Sequence, residues 1–420
     1  MPFCEVAKYQ PSAVRGEGGG EMANDLDGNG IKIFYRTYGR GPTKVLLIIG
    51  LAGTHDSWGP QIKGLTGTDK PNDDDDARGD EKPPGDRDSA GGGGEDDRET
   101  GCGSGIQVCA FDNRGMGRSS VPTKKTQYTT RIMAQDAVAV MDHLGWRKAH
   151  VFGHSMGGMI ACKLAAMVPD RVSSLALLNV TGGGFECFPK LDRQTISVGI
   201  RFLKAKTPEE RAAVDLDTHY SQDYLEEYVG STPRRAILYQ QYVKGISSTG
   251  MQSRCGFDGQ LNACWTHKVT RKEIELIRSS EFLVSVIHGR HDIIAQIYYA
   301  RRLAEKLQPV ARMVDLHGGH LVSHERTEEV NQALLELVKA SEKGISPHDW
   351  TNLKNQSSGW FELGMSFGRT TVEARKNVFS AFTKLNLCIS YLCGLFVLLF
   401  EYAHKTSRSL RPARVQQSLT

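Results

Sequence analysis

The sequence predicts an α/β protein: a mostly parallel β-sheet with helices on both faces, a helical lid, an acidic disordered insertion and a hydrophobic C-terminal helix. Two observations carry this. Short apolar runs alternate with helical patterns from about residue 31 to 340, as strand-helix-strand units do. One of those runs ends in Gly153-His154-Ser155-Met156-Gly157, a G-x-S-x-G motif between a strand-like stretch, Ala149 to Phe152, and a helix-like one, Met159 to Met167. A serine hydroxyl becomes a useful nucleophile when a sharp turn exposes it at a helix N-terminus, and small neighbours let such a turn close.

The elements follow in order. Residues 1–30 are polar and glycine-rich and predict a disordered N-terminus. Ile31 to Tyr38 alternates like a half-exposed strand, and Lys44 to Ile49 reads as a buried one. The loop Gly50-Leu51-Ala52-Gly53-Thr54 after it can aim backbone N–H groups at an oxyanion. Ile106 to Phe111 is a further strand, followed by the polar turn Asp112 to Ser119 and a helix over Thr130 to Leu144. Ser174 to Asn179, Phe282 to Ile287 and Arg312 to Leu316 complete the strands, with helices over Ile297 to Leu307 and Thr327 to Ala340. Residues 182–280 are helical by pattern and read as a lid over the carboxyl ends of the strands, where ligands of such sheets sit.

The net charge of +4 conceals an asymmetry. Residues 67–104 hold thirteen acidic and five basic side chains, a balance of −8, which leaves +12 on the remainder. A stretch so acidic and so poor in apolar residues cannot offset its ordering entropy, so it predicts a disordered insertion that interrupts the domain without dividing it. The diffuse basic excess lacks a Lys/Arg run with interleaved aromatics and argues against nucleic acid as a partner. Nine cysteines at irregular spacings, without a C-x-x-C pair, argue against a zinc site or a disulfide framework and point to a reducing compartment. The N-terminus lacks the continuous apolar core of a secretory signal, so the chain reads as not secreted.

Ser155, Asp292 and His320 occur in the order nucleophile, acid, base, each just after a predicted strand. The histidine would take the serine proton, and the carboxylate would fix the imidazole tautomer. Gly318-Gly319 favour His320 as the base, with His317 and His324 as alternatives.

With GHSMGG at 153–158, FDNRGMGRS at 111–119, HGRHD at 288–292 and GGH at 318–320 followed by Glu325, the chain resembles the α/β-hydrolase superfamily over about residues 31–66 and 105–340. It looks most like the small serine esterases, enol-lactonases and monoacylglycerol-lipase-like enzymes. The resemblance implies Ser155 as nucleophile, His320 as base, Asp292 as acid, an oxyanion hole from the backbone N–H groups of Met156 and Leu51, and no metal or organic cofactor. It departs from many members at Ile49-Gly50, where they carry His-Gly, so polar support for the oxyanion loop is expected to be missing.

After a polar linker at 344–359, residues 360–420 contain Leu385 to Phe400, sixteen residues without a charge, extended by Tyr402-Ala403 past Glu401. At about 1.5 Å per residue this stretch needs its flanks to cross a hydrocarbon core of about 30 Å. It predicts a C-terminal membrane anchor with the hydrolase domain facing the cytosol. The expected function is therefore a membrane-associated hydrolase of a small or lipid-like carboxylic ester. The alternatives are a lactone or carbon–carbon bond hydrolase on the same site, or a ligand-binding sensor with the same fold.

Overall fold

The apolar runs pair into one sheet in the computed structural model, which describes residues 2–6, 30–72, 105–190 and 192–352. The strands are β1 (Phe3–Glu5), β2 (Lys32–Tyr38), β3 (Thr43–Ile48), β4 (Ile106–Phe111), β5 (Ala149–His154) and β6 (Val172–Leu178). After a short separate hairpin of β7 (Tyr228–Val229) and β8 (Thr232–Pro233) come β9 (Leu283–Gly289) and β10 (Ala311–Leu316). The eight-stranded sheet has the order β1-β2-β4-β3-β5-β6-β9-β10. β2 runs against both its neighbours, and the other adjoining pairs are parallel.

Strand periodicity divides the core into two layers. In β3, Leu46 and Ile48 join one apolar cluster while Val45 and Leu47 join the other; in β5, Val151 and Phe152 divide the same way. One layer is covered by α2 (Thr130–His143) and α3 (Met156–Met167) through Met133, Val140, Ile160 and Leu164. The other is covered by α1 (Gly59–Thr66) and α12 (Thr327–Glu342) through Ile62, Leu65, Leu334 and Leu337. Burial on both faces explains why β3 ends in the unbroken apolar run Val45-Leu46-Leu47-Ile48 rather than an alternating one.

Between β6 and β9 the lid consists of α4 (Arg193–Lys204), α5 (Pro208–His219), α6 (Gln222–Glu226), α7 (Arg234–Thr249), α8 (Arg254–Thr266) and α9 (Arg271–Arg278). Their starts are written in the sequence: Thr207 and Thr270 each form a capping box with a glutamate three residues on, and Asp192, Ser221 and Ser253 accept from first-turn N–H groups. Leu216, Tyr220 and Leu225 form the lid's own small core against Leu238, Tyr239 and Tyr242. After β9, α10 (Ile297–Lys306), α11 (Val322–Glu325) and α13 (Pro347–Asn352) complete the helices.

Three boundaries differ from the sequence expectation. Residues 1–30 were expected to be disordered, yet β1 pairs with β2 and buries Cys4, because three residues suffice to extend an edge while being too few to show a period. The insertion was expected from residue 67, but the ordered chain continues to Asn72, whose amide and side chain donate to Thr37 and Gly39. The linker expected at 344–359 begins as α13, where Trp350 is buried and its indole donates to the Val284 carbonyl oxygen at 2.9 Å. Residues 73–104, most of the acidic insertion, and 353–420, including Leu385 to Phe400, lie outside the described residues. Among those described, no helix is long and apolar enough to cross a membrane.

Candidate active site

The chain leaves β5 at His154 and enters α3 at Met156, so Ser155 must turn within one residue. It adopts φ 54° and ψ −121°, a sparsely populated conformation for a residue with a Cβ. The flanking glycines make this possible. A Cβ on Gly153 would lie 2.3 Å from the Gly157 carbonyl oxygen, and one on Gly157 would lie 2.0 Å from that of Ile48.

The three residues ordered in the sequence as nucleophile, acid and base meet here. His320 Nε2 lies 3.0 Å from Ser155 Oγ, and His320 Nδ1 lies 2.8 Å from Asp292 Oδ2. Asp292 Oδ1 accepts from the backbone N–H groups of Ile294 and Ala295, each at 2.8 Å, and Oδ2 also accepts from Asn179 Nδ2 at 2.8 Å. Burial raises the Asp292 pKa, but His320, His288 and the Asn179 hydrogen bond together outweigh it and bring it down to about 2. A charged carboxylate accepting from Nδ1–H leaves the Nε2 lone pair for the serine.

His317 and His324 do not reach Ser155. His317 stacks edge-on with His291 at 4.4 Å and receives Arg326, while His324 Nε2 bonds the Ser57 carbonyl oxygen at 2.7 Å. Their positions leave His320 as the histidine beside the serine.

Several residues around Ser155 and His320 have contacts to which the sequence assigned no role. Asn179, at φ 47° just past β6, also donates to the Gly319 carbonyl oxygen at 3.1 Å. The only sequence signal for it was a polar residue closing the apolar run SLALLN. His154 lies 5.0 Å from His320 ring to ring and contacts the His320 carbonyl oxygen through Nε2 at 2.8 Å. Burial, followed by the charge of His320, depresses its pKa to about 3, so it is neutral and donates that bond. From the lid, His219 stacks 6.4 Å from His320, and Glu325 accepts from the N–H groups of Gly319 and Ser221 and from the Ser221 hydroxyl. The Glu325 carboxylate thus ties the loop before His320 to the lid.

The loop expected to face an oxyanion is adjacent to the serine: a Cβ on Gly50 would lie 3.0 Å from Ser155 Cβ. Among the described residues, neither the Leu51 nor the Met156 backbone N–H donates to another group. The expectation that this loop lacks polar support is corrected. Asn113 donates to the Ile49 carbonyl oxygen at 2.7 Å, Asp112 accepts from the His55 amide at 2.9 Å, and Gln260 Oε1 accepts from the Ala52 amide at 2.9 Å. Support comes from elsewhere in the chain rather than from the residue before the glycine. No group of His, Cys, Asp and Glu among the described residues could hold a metal ion.

Comparisons with known proteins bear on the fold. The family model for the alpha/beta hydrolase fold matches residues 95–327. The candidate carbamate hydrolase RutD of Azorhizobium caulinodans is 25% identical over 311 residues, covering 73% of this chain and 95% of that protein. Its counterpart in a Caulobacter species is 37% identical over 240 residues, covering 56% and 81%. Among solved structures, the enol-lactonase of Burkholderia xenovorans aligns with a TM-score of 0.53 at 20% identity, covering 74% of this chain and 97% of that one. An esterase from Thermogutta terrifontis aligns with a TM-score of 0.51 at 19% identity, covering 76% and 96%. With more than half of its length matched by the family model, and with the strand order and serine turn described above, the chain belongs to the alpha/beta hydrolase family.

Proposed function

We propose that this hydrolase cleaves a carboxylic ester through an acyl-enzyme. The observation that carries the reading is the hydrogen-bonded line from Ser155 Oγ to His320 to Asp292, at 3.0 and 2.8 Å. His320 Nε2 takes the Ser155 proton as Oγ attacks the carbonyl carbon, and the carbonyl oxygen becomes an oxyanion facing the N–H groups of Met156 and Leu51. Collapse expels the alkoxide, which takes the proton from His320. Water then enters, gives its proton to His320 and attacks the acyl carbon, and that proton returns to Ser155 as the acid leaves. Asp292 accepts from Nδ1–H throughout and stabilises the imidazolium.

The relatives named as candidate carbamate hydrolases favour a second reading at the same site. A carbamate presents the same carbonyl electrophile, with an amine or ammonia leaving group that needs the His320 proton more than an alkoxide does. Membrane association through Leu385 to Phe400 and a lipid-like acyl group belong to the proposal on sequence grounds.

The test is labelling of the full chain with a fluorophosphonate probe beside Ser155→Ala, with turnover of p-nitrophenyl acetate, p-nitrophenyl butyrate and an aryl carbamate on the same samples. Labelling and ester turnover that both vanish in the variant support the ester reading. Carbamate turnover exceeding ester turnover moves the assignment to the second. A folded wild-type protein that takes no label points to a ligand-binding role for the pocket.

A further inference from the structure

The lid helix α4 carries two apolar faces where a helix on a water-soluble domain needs one. Its inward face is Thr195 and Val198, both buried, with Phe202 half-buried against Phe257 at 6.1 Å and beneath the Arg211 guanidinium at 4.0 Å. About 100° round the helix, Ile196, Ile200 and Leu203 follow at i, i+4 and i+7 and form a second stripe. They are 50%, 49% and 84% exposed, and Leu203 is the most exposed large apolar side chain among the described residues. No packing within the described domain accounts for three branched aliphatic residues on one exposed line.

The charges beside the stripe identify what it fits. Residues 190–206 contain five basic side chains and one acidic, a balance of +4 within seventeen residues. Arg201 lies away from the stripe and is occupied by Asp217 at 2.7 Å. By helical position, Arg193 and Lys204 lie along one edge of the stripe, and Lys206 follows just beyond the helix end. All three are exposed; Arg193 and Lys204 make no ion pair among the described residues, and Lys206 has the Glu210 carboxylate nearby, accepting its backbone N–H at 2.8 Å. An apolar stripe bordered by exposed cations complements a surface with an apolar interior and anionic headgroups. A second protein would meet the stripe with an apolar patch and would need carboxylates placed against each cation. A headgroup layer supplies anions at any lateral position.

We infer that α4 is an interfacial helix, which lays Ile196, Ile200 and Leu203 into the acyl boundary of an anionic phospholipid surface while Arg193, Lys204 and Lys206 hold the phosphates. The contact stands independently of the Ser155 chemistry and of the C-terminal apolar segment. It places the lid itself on the surface from which a lipid-like ester would come.

The test is hydrogen–deuterium exchange on the full chain, read at peptides spanning 193–204, because this isolates the helix from any binding by Leu385 to Phe400. Vesicles of phosphatidylcholine with about one-third phosphatidylserine should slow exchange there severalfold, and pure phosphatidylcholine should not. Ile200→Glu with Leu203→Glu should abolish the protection, as should Arg193→Glu with Lys204→Glu and Lys206→Glu. Since these side chains are exposed, both variants should keep soluble-ester turnover within about twofold of wild type. Vesicle-bound protein with unchanged exchange over 193–204 overturns the inference. Equal protection on neutral vesicles overturns the role of the cations. Protection that appears without vesicles and rises with protein concentration assigns the stripe to a second copy of the chain instead.

Discussion

Gln260, in lid helix α8, accepts the backbone N–H of Ala52 at 2.9 Å through Oε1 and donates to the Arg114 carbonyl oxygen at 3.0 Å through Nε2. Ala52 is the residue after Leu51 and sits at φ 60°. A fully buried lid side chain therefore holds the loop expected to bind the oxyanion in a left-handed conformation that alanine does not favour. Gln260 makes Leu51's orientation depend on the lid.

Gln260→Ala should accordingly lower kcat more than it raises KM. Loss of an oxyanion donor itself costs about 100-fold or more, and misplacing one indirectly should cost about tenfold, with KM within about twofold. The same change leaves the buried Arg114 carbonyl oxygen without the Gln260 donor and removes one of two acceptors of the Gln252 amide, the other being the Gly115 carbonyl oxygen, and should cost about 1–3 kcal/mol of stability. Steady-state kinetics beside thermal unfolding separate the two effects. A KM-only change would mean that Gln260 acts on substrate binding rather than on the loop.

Asp292→Asn replaces the acceptor facing His320 Nδ1–H with a group that can donate, favouring the tautomer with Nε2–H turned towards Ser155. Turnover should fall by about 10⁴-fold with little change in KM. Fluorophosphonate labelling rates should fall in parallel, and a loss of less than tenfold would show that another group orients His320.

Ser155→Gly should abolish turnover and raise stability. The backbone at φ 54°, ψ −121° strains a residue with a Cβ by about 1–3 kcal/mol, and the greater freedom of glycine in the unfolded chain returns about 0.5–1 kcal/mol of this. The expected gain is about 1 kcal/mol by denaturant unfolding. Ser155→Ala keeps the strain and should show no such gain, which makes it the control.

Acid should destabilise the fold below about pH 6.5, before most carboxylates titrate. His150 is buried in β5, contacts the Ser174 hydroxyl at 2.8 Å, and is depressed by burial to about 4; burial likewise takes His154, His219 and His267 to about 3. Each binds a proton in the unfolded chain at a higher pH than in the folded one. Between the unfolded value near 6.5 and the folded values, the unfolded state holds more protons, so stability falls as pH falls. His150→Gln should flatten the pH dependence of Tm between about pH 6.5 and 4, and an unchanged slope would exclude His150 as a contributor.

The amino-acid order alone determined seven of the eight strands of the main sheet, the serine turn and the succession Ser155, Asp292, His320, because each is a local pattern. Apolar runs mark strands buried on both faces, and Gly153 and Gly157 mark a turn that closes only without a Cβ. The Thr207–Glu210 capping box is local in the same way, whereas β1 and α13 are too short to announce themselves by period. Only the tertiary structure decided which distant polar groups surround those three residues. Asn179 lies 113 residues from Asp292, Gln260 lies 208 from Ala52 and Glu325 lies 104 from Ser221, and His219 sits beside His320 from the end of lid helix α5, separations to which no spacing rule applies. Hydrogen bonds of this kind arise from strand order and lid docking, which fix where the ends of elements meet, whereas apolar periodicity states only which face of each element is buried.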